Sequence, residues 1–302
     1  MFFLRKLLPL SLLPALVALI VVFSCQSGGK DASPTLIVTI EPMRFVVEAI
    51  AGEKFRVQTL MPRGASPETY EPTPHQMMQL NSCALLFCSG YLGFERTQLP
   101  RMLENTPSLR MVSLSDGIAP LFEPDNPRGL SQSIDPHTWM CTDNLRIMAS
   151  NACKALCSLD SLHAPDYESR LRQFYTRMDS LDSRLVDELK PVQNRTFLIF
   201  HPALGYMARQ FGLKQLALEH DGKEPSPARL EELIRLCRAE DVRVAFVSQE
   251  HAGQAAHRLA EELTIPVENI NPLDYDVPAQ LLLIAEILRR NATQSQISPA
   301  NQ

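Results

Sequence analysis

The sequence predicts an α/β protein of two lobes with mainly parallel sheets, joined by one long helix. Three observations predict it. Short β-branched runs alternate with helical periodicity through residues 35–162, and the alternation restarts after Pro191. Between them lies the longest amphipathic run of the chain, Pro165 to Lys190. Strands that alternate with helices build βαβ units, because parallel neighbours need a crossover.

The elements follow in order. LIVTI (36–40) reads as a strand broken by Glu41-Pro42, and MRFVVEAIAG as a helix closed by Gly52. FRVQTLM and CALLFCSG read as strands, with a short helix from His75 to Leu80 between them and a further strand near Arg110–Leu114. YLGFERTQLPRML reads as helical or irregular, and Asp143–Leu156 as helix. In the long run, Tyr167, Leu171, Phe174, Met178, Leu181, Leu185 and Leu189 step by three or four residues. That is a helix of about 25 residues, roughly 38 Å long, and one of that length braces lobes rather than crossing over within one. After it come the strand TFLIF, the helix PALGYMARQFG, the strand KQLALEH, a helix opened by Ser226-Pro227, the strand VRVAFVS, the helix GQAAHRLAEEL, the strand-turn IPVENINPL and the helix VPAQLLLIAEILRR. The expected division is an N-terminal lobe at 35–162, a linking helix at 163–190, a C-terminal lobe at 191–291 and a frayed tail at 292–302. Each lobe is expected to be Rossmann-like.

The chain has 302 residues, 45% hydrophobic and 21% charged, enough for two ordinary cores. A net charge of −5 without a basic stripe argues against a nucleic-acid partner. MFFLRK followed by LLPLSLLPALVALIVVF and Ser24-Cys25 is a secretory signal. It resembles the bacterial lipoprotein signal, although Phe23 stands where a small residue is usual. That resemblance implies a signal peptide at 1–24, lipidation of Cys25 and a tether at 25–34, whose QSGGKDASP has a linker composition. No later stretch reaches the roughly 18 apolar residues of a membrane span. The expectation is an exported chain held to the cell envelope or periplasmic membrane by lipid alone. The other six cysteines form no CxxC pair and lie in apolar patterns, so buried thiols are expected rather than structural zinc.

Three places can carry chemistry. The loop GASPETYEPTPHQM (64–77) holds Glu68 and Glu71 and is stiffened by Pro67, Pro72 and Pro74. His137 lies beside Asp135 and Trp139, and His201 directly follows the strand TFLIF. Ligands in open α/β sheets bind beyond the carboxyl ends of the strands. Imidazole and carboxylate together suit a first-row divalent metal. Each group alone reads equally as a surface turn or a hydrogen-bonded structural residue, as His75, His163, His220, His251 and His257 are read here.

Taken together these segments resemble the metal-binding, cluster A-I type of periplasmic binding proteins that feed ABC transporters for zinc and manganese. GASPETYEPTPHQ is similar to that family's GADPHTYEPTPSD, CSGYLGFE to NGLGLE, DPHTWM to DPHVWL, HPALGYMARQFGL to a segment ending AFGYFAKRYGL, and INPLDYD to VDPLG. The resemblance implies two lobes bridged by a rigid helix, with one metal held between them and no bond made or broken. It places the ligand positions on Glu68, His137, His201 and Asn271. Two of these depart from the family: Glu68 stands for an imidazole and Asn271 for a carboxylate. Glu250, at the end of AFVSQE, is an additional candidate, and Asp274 a weaker one. Histidine at 201 favours Zn²⁺ over Mn²⁺ or Fe²⁺. The implied partners are a permease and its ATPase, and the chain is expected to be a monomer. Rival readings are a manganese or iron receptor, a metallohydrolase, for which HExxH is lacking, and an adhesin on the same scaffold.

Overall fold

The first sheet is built from β1 (Thr35–Val38), β2 (Arg56–Thr59), β3 (Leu85–Cys88) and β4 (Met111–Ser113). The second is built from β5 (Thr196–Ile199), β6 (Lys214–Ala217), β7 (Ala245–Ser248) and β8 (Val267–Ile270). All pairings are parallel, in the orders β2-β1-β3-β4 and β6-β5-β7-β8, so the two lobes repeat one topology. In each lobe the order reverses beside its first strand, which opens a crevice at the carboxyl edge. The computed structural model describes residues 33–104, 106, 109–122, 134–219, 226–248 and 254–293. The signal, Cys25, most of the tether, His220, Glu250 and His251 lie outside the described residues.

The helices form where the pattern places them. Helix α1 (Glu41–Ala51) starts on Pro42, buries Met43, Val46, Val47 and Ile50, and ends at Gly52, whose φ of 60° favours glycine. Helix α2 (Pro74–Ser82) carries a capping box between Thr73 and Gln76. The YLGFERTQLPRML stretch resolves into α3 (Gly93–Thr97) and α4 (Leu99–Glu104). Helix α5 (Thr142–Leu159) leads into α6 (Ala164–Leu189), whose 26 residues bury Tyr167, Phe174, Met178, Leu181, Leu185 and Leu189 along one stripe. The second lobe adds α7 (Gly205–Phe211), α8 (Pro227–Ala239), α9 (Gln254–Leu263) and α10 (Val277–Thr293). Helix α6 packs on α1 and α5 of the first lobe and on α10 of the second.

One continuous core contains Leu36 and Phe87 of the first sheet, Phe174 and Leu185 of α6, and Phe197 and Phe246 of the second sheet. A smaller core, with Leu198, Leu233 and Val247, lies within the second lobe. Shared packing of this kind resists independent lobe movement.

Two boundaries differ from expectation. The segment after His201 turns before it becomes helical, with Ala203 N bonded to His201 O at 2.8 Å and Leu204 N to Gln215 Oε1 at 2.8 Å, so α7 begins only at Gly205. The last helix runs through Thr293, past the expected 191–291 bound of the lobe, and the rest of the tail at 294–302 lies outside the described residues. Asn291 is buried and its Nδ2 donates to Ile287 O at 2.9 Å. Among the described residues no helix is long and apolar enough to cross a membrane.

Candidate metal centre

The loop after β2 is held from both sides. Tyr70 Oη and Gln76 Nε2 donate to Leu60 O at 3.0 and 2.6 Å, and Phe94 N donates to Pro67 O at 3.3 Å. Gly93 of α3 lies beside the loop, where a Cβ would make ordinary van der Waals contact with Glu68 Cα at 3.7 Å. Glu68 thus reaches the carboxyl edge of the sheets from an anchored backbone. Its side chain accepts from Ser66 Oγ, and its Oε1 lies 3.8 Å from His201 Nε2.

His137 comes from the chain between β4 and α5, and His201 from the end of β5. Their Nε2 atoms are 3.3 Å apart, with the rings edge to face at 5.0 Å. Each far nitrogen is held by a buried carboxylate. Asp135 Oδ1 accepts from His137 Nδ1 and also from His137 N, both at 2.9 Å. Glu219 Oε2 bonds His201 Nδ1 at 3.1 Å. A carboxylate only accepts, so each Nδ1 donates to its carboxylate, and the two Nε2 atoms meet at hydrogen-bond distance, where one can donate to the other. Two nitrogens bound at ~2.0–2.1 Å on a tetrahedral ion stand roughly 3.3 Å apart, which matches the pair observed.

Burial alone would lower the His201 pKa. The hydrogen bond and charge of Glu219, with the charges of Glu68 and Asp135, reverse this and raise it above the ordinary histidine value. A cavity of about 20 Å³, lined by Glu68, His137, His201, Ser248 and Leu273, opens on the pair. That space takes one ion or one water and excludes an organic solute.

The other sequence candidates fall around this point. Trp139 is fully buried, stacks edge-on to His137 at 5.4 Å and donates from Nε1 to Pro272 O at 2.7 Å. Asn271 does not line the small cavity. Its Oδ1 accepts from Leu273 N at 3.1 Å, and it borders a larger cavity of about 280 Å³ with Glu41, Arg63, Asp274 and Tyr275. His75 and His257 are exposed, and His163 is paired with Asp160 at 2.7 Å. The six cysteines from Cys83 to Cys237 are free thiols. Among the described residues no three His, Cys, Asp or Glu side chains converge as a finished coordination set.

Glu219 was not singled out from the sequence. Its signal was available: an acid two residues beyond β6, the strand paired directly with the one that leads into His201.

The family described as "Zinc-uptake complex component A periplasmic" matches residues 36–294. The manganese ABC transporter substrate-binding lipoprotein PsaA of Streptococcus mitis is 24% identical over 266 residues, covering 83% of this chain and 85% of that protein. The iron-binding protein YfeA of Yersinia pestis is 25% identical over 231 residues, covering 75% of this chain and 73% of that one. A crystal structure of ZnuA superposes with a TM-score of 0.80 at 28% identity, covering 86% of this chain and all of the other.

Proposed function

The chain belongs to the family of periplasmic zinc-uptake components, and from that premise we propose that it captures a divalent cation, zinc foremost, between its lobes and delivers it to an ABC transporter permease. Members of this family are solute-binding receptors of ABC transporters and not enzymes. The metal is cargo here.

The observation that carries the proposal is the pair of Nε2 atoms 3.3 Å apart, one from each lobe, each imidazole fixed by its own buried carboxylate. Anchoring at Nδ1 orients both Nε2 atoms before an ion arrives, which lowers the cost of binding. His137, His201 and Glu68 are the proposed ligands, Glu68 closing over the ion after a short movement of its carboxylate. Asn271 is engaged with Leu273 N, so ligation through its Oδ1 requires that turn to yield. Glu250 or a water is left for the remaining position.

Two imidazoles favour zinc, whereas manganese prefers oxygen. A manganese or iron receptor is the second reading. It is favoured by the carboxylate of Glu68 in place of a third imidazole, and relatives with manganese and iron in their names support it. Export by the N-terminal signal, anchoring through Cys25 and action as a monomer complete the proposal.

Titration of chelator-stripped protein with Zn²⁺, Mn²⁺ and Fe²⁺ under reducing conditions tests it. Zinc is expected to bind tightest and with one ion per chain. Tighter manganese or iron would replace the zinc assignment, and no binding by any of them would overturn the receptor reading.

A further inference from the structure

Helix α7 belongs to the second lobe by sequence, yet its polar groups are spent on the first. Tyr206 Oη donates to Asp135 O at 3.2 Å and accepts from Leu121 N at 3.1 Å. Arg209 donates to Ala119 O at 3.2 and 3.3 Å, and Gln210 Oε1 accepts from Thr142 N at 3.0 Å. Gly205, at the start of the helix, sits against the side chain of Asp135. A Cβ there would lie 2.6 Å from Asp135 Oδ2.

Asp135 cannot swing aside to make room. It is buried, and its Oδ1 is committed twice to His137, at the backbone N and at Nδ1. Moving the carboxylate away from a new methyl group would release the imidazole. Tyr206 is also fully buried, and its hydroxyl fixes the backbone of the same residue.

We propose that Gly205 and Tyr206 are positioning residues for His137, acting from the opposite lobe through Asp135. This rests on the reading of His137 as a metal ligand. The segment that starts with His201 therefore does two things: it presents one imidazole itself and sets the other through Asp135. The two ligands are coupled, because displacing α7 releases Asp135 at the same time as it withdraws His201. A positioning contact across the lobes lets a single movement of one short helix open both halves of the site.

The test uses the full mature chain with Gly205→Ala and Tyr206→Phe, each alone and combined with His137→Ala. Two quantities are read: zinc affinity by competition with a chromophoric chelator, and amide hydrogen exchange of Leu121 and His137 in metal-free protein. Gly205→Ala is expected to weaken zinc binding by roughly tenfold to hundredfold, and Tyr206→Phe by about tenfold, the range seen when groups behind a ligand are removed. Both are expected to speed exchange at His137, and Tyr206→Phe also at Leu121. In the His137→Ala background neither is expected to weaken zinc binding further.

Unchanged affinity and exchange in both single variants overturns the proposal. Equal losses with and without His137 also overturn it, since they mark a general loss of structure. Accelerated exchange in the variants, with a wild type that binds no zinc, supports the contact to His137 and overturns the receptor reading instead. Tyr206→Phe keeps the ring, so it remains informative where Gly205→Ala does not fold.

Discussion

The Nε2 atoms of His137 and His201 face one another at 3.3 Å across 64 residues of chain. With both Nδ1 positions donating to carboxylates, the two Nε2 atoms meet at hydrogen-bond distance beside one small cavity. A proton or a cation between them satisfies both nitrogens. Zinc at about 100 times its Kd is therefore expected to stabilise the fold by roughly 2.7 kcal/mol. His137→Ala and His201→Ala should each sharply reduce the shift at the same zinc concentration. Thermal unfolding with zinc and with excess chelator measures it, and a shift that survives both substitutions places the ion elsewhere.

Glu219 provides a separate test, because it touches His201 without reaching the cavity. Glu219→Gln keeps the shape and still offers an oxygen to Nδ1, but it removes the charge that helps raise the His201 pKa. Zinc affinity should fall by roughly tenfold to hundredfold while the unfolding midpoint of the metal-free protein stays close to wild type. Chelator competition reads the first and denaturant unfolding the second. Unchanged affinity would reduce Glu219 to a packing residue.

The sequence carried the architecture because periodicity is a local property. The buried stripe of α6, from Tyr167 to Leu189, repeats every three or four residues and needs no knowledge of what it packs against. The start of α7 was misjudged because its boundary depends on Gln215, a residue on the neighbouring strand that caps Leu204 N. His137 and His201 were legible from their places beyond apolar segments and from the resemblance. The carboxylates behind them were legible unequally. Asp135 lies two residues from its histidine, whereas Glu219 reaches His201 only because β6 pairs with β5. The commitment of Asn271 to Leu273 N is also invisible in sequence, since it depends on the turn geometry after β8.

Four of the thiols, Cys83, Cys141, Cys153 and Cys237, should be slow to react in the native state. Burial pushes the thiols of Cys83 and Cys237 up to about 11, and burial with nearby negative charge pushes Cys141 and Cys153 up to about 12. The thiolate is the reactive form, so iodoacetamide at pH 8 should label these four very slowly in the native protein and fully in the urea-unfolded protein. The sign of the pH effect on stability follows. An unfolded thiol ionises near pH 9 while the folded one stays protonated, so the unfolded state binds fewer protons and stability falls as pH rises from about 9 towards 11. Mass spectrometry after timed labelling checks the first expectation, and urea midpoints across that pH range check the second. Rapid native labelling of Cys141 or Cys237 would contradict the burial argument.

Glu95 supports the ligand loop from beneath. It is buried, and its carboxylate accepts from Thr39 Oγ1 at 2.5 Å, Ser89 N at 2.9 Å, Gly90 N at 2.6 Å and Leu92 N at 3.4 Å. It ties the end of β1 to the turn after β3, and that turn leads into Gly93 and Phe94, against which Pro67 and Glu68 rest. Glu95→Ala leaves three backbone N–H groups and one hydroxyl without their acceptor. The expected cost is about 3–5 kcal/mol of unfolding free energy, measured by urea denaturation of metal-free protein. Because the loop loses its footing, zinc affinity should fall along with stability, and most of that loss should disappear when Glu68 has already been changed to alanine. An affinity loss of the same size in both backgrounds would mean that Glu95 supports the fold but not the position of Glu68.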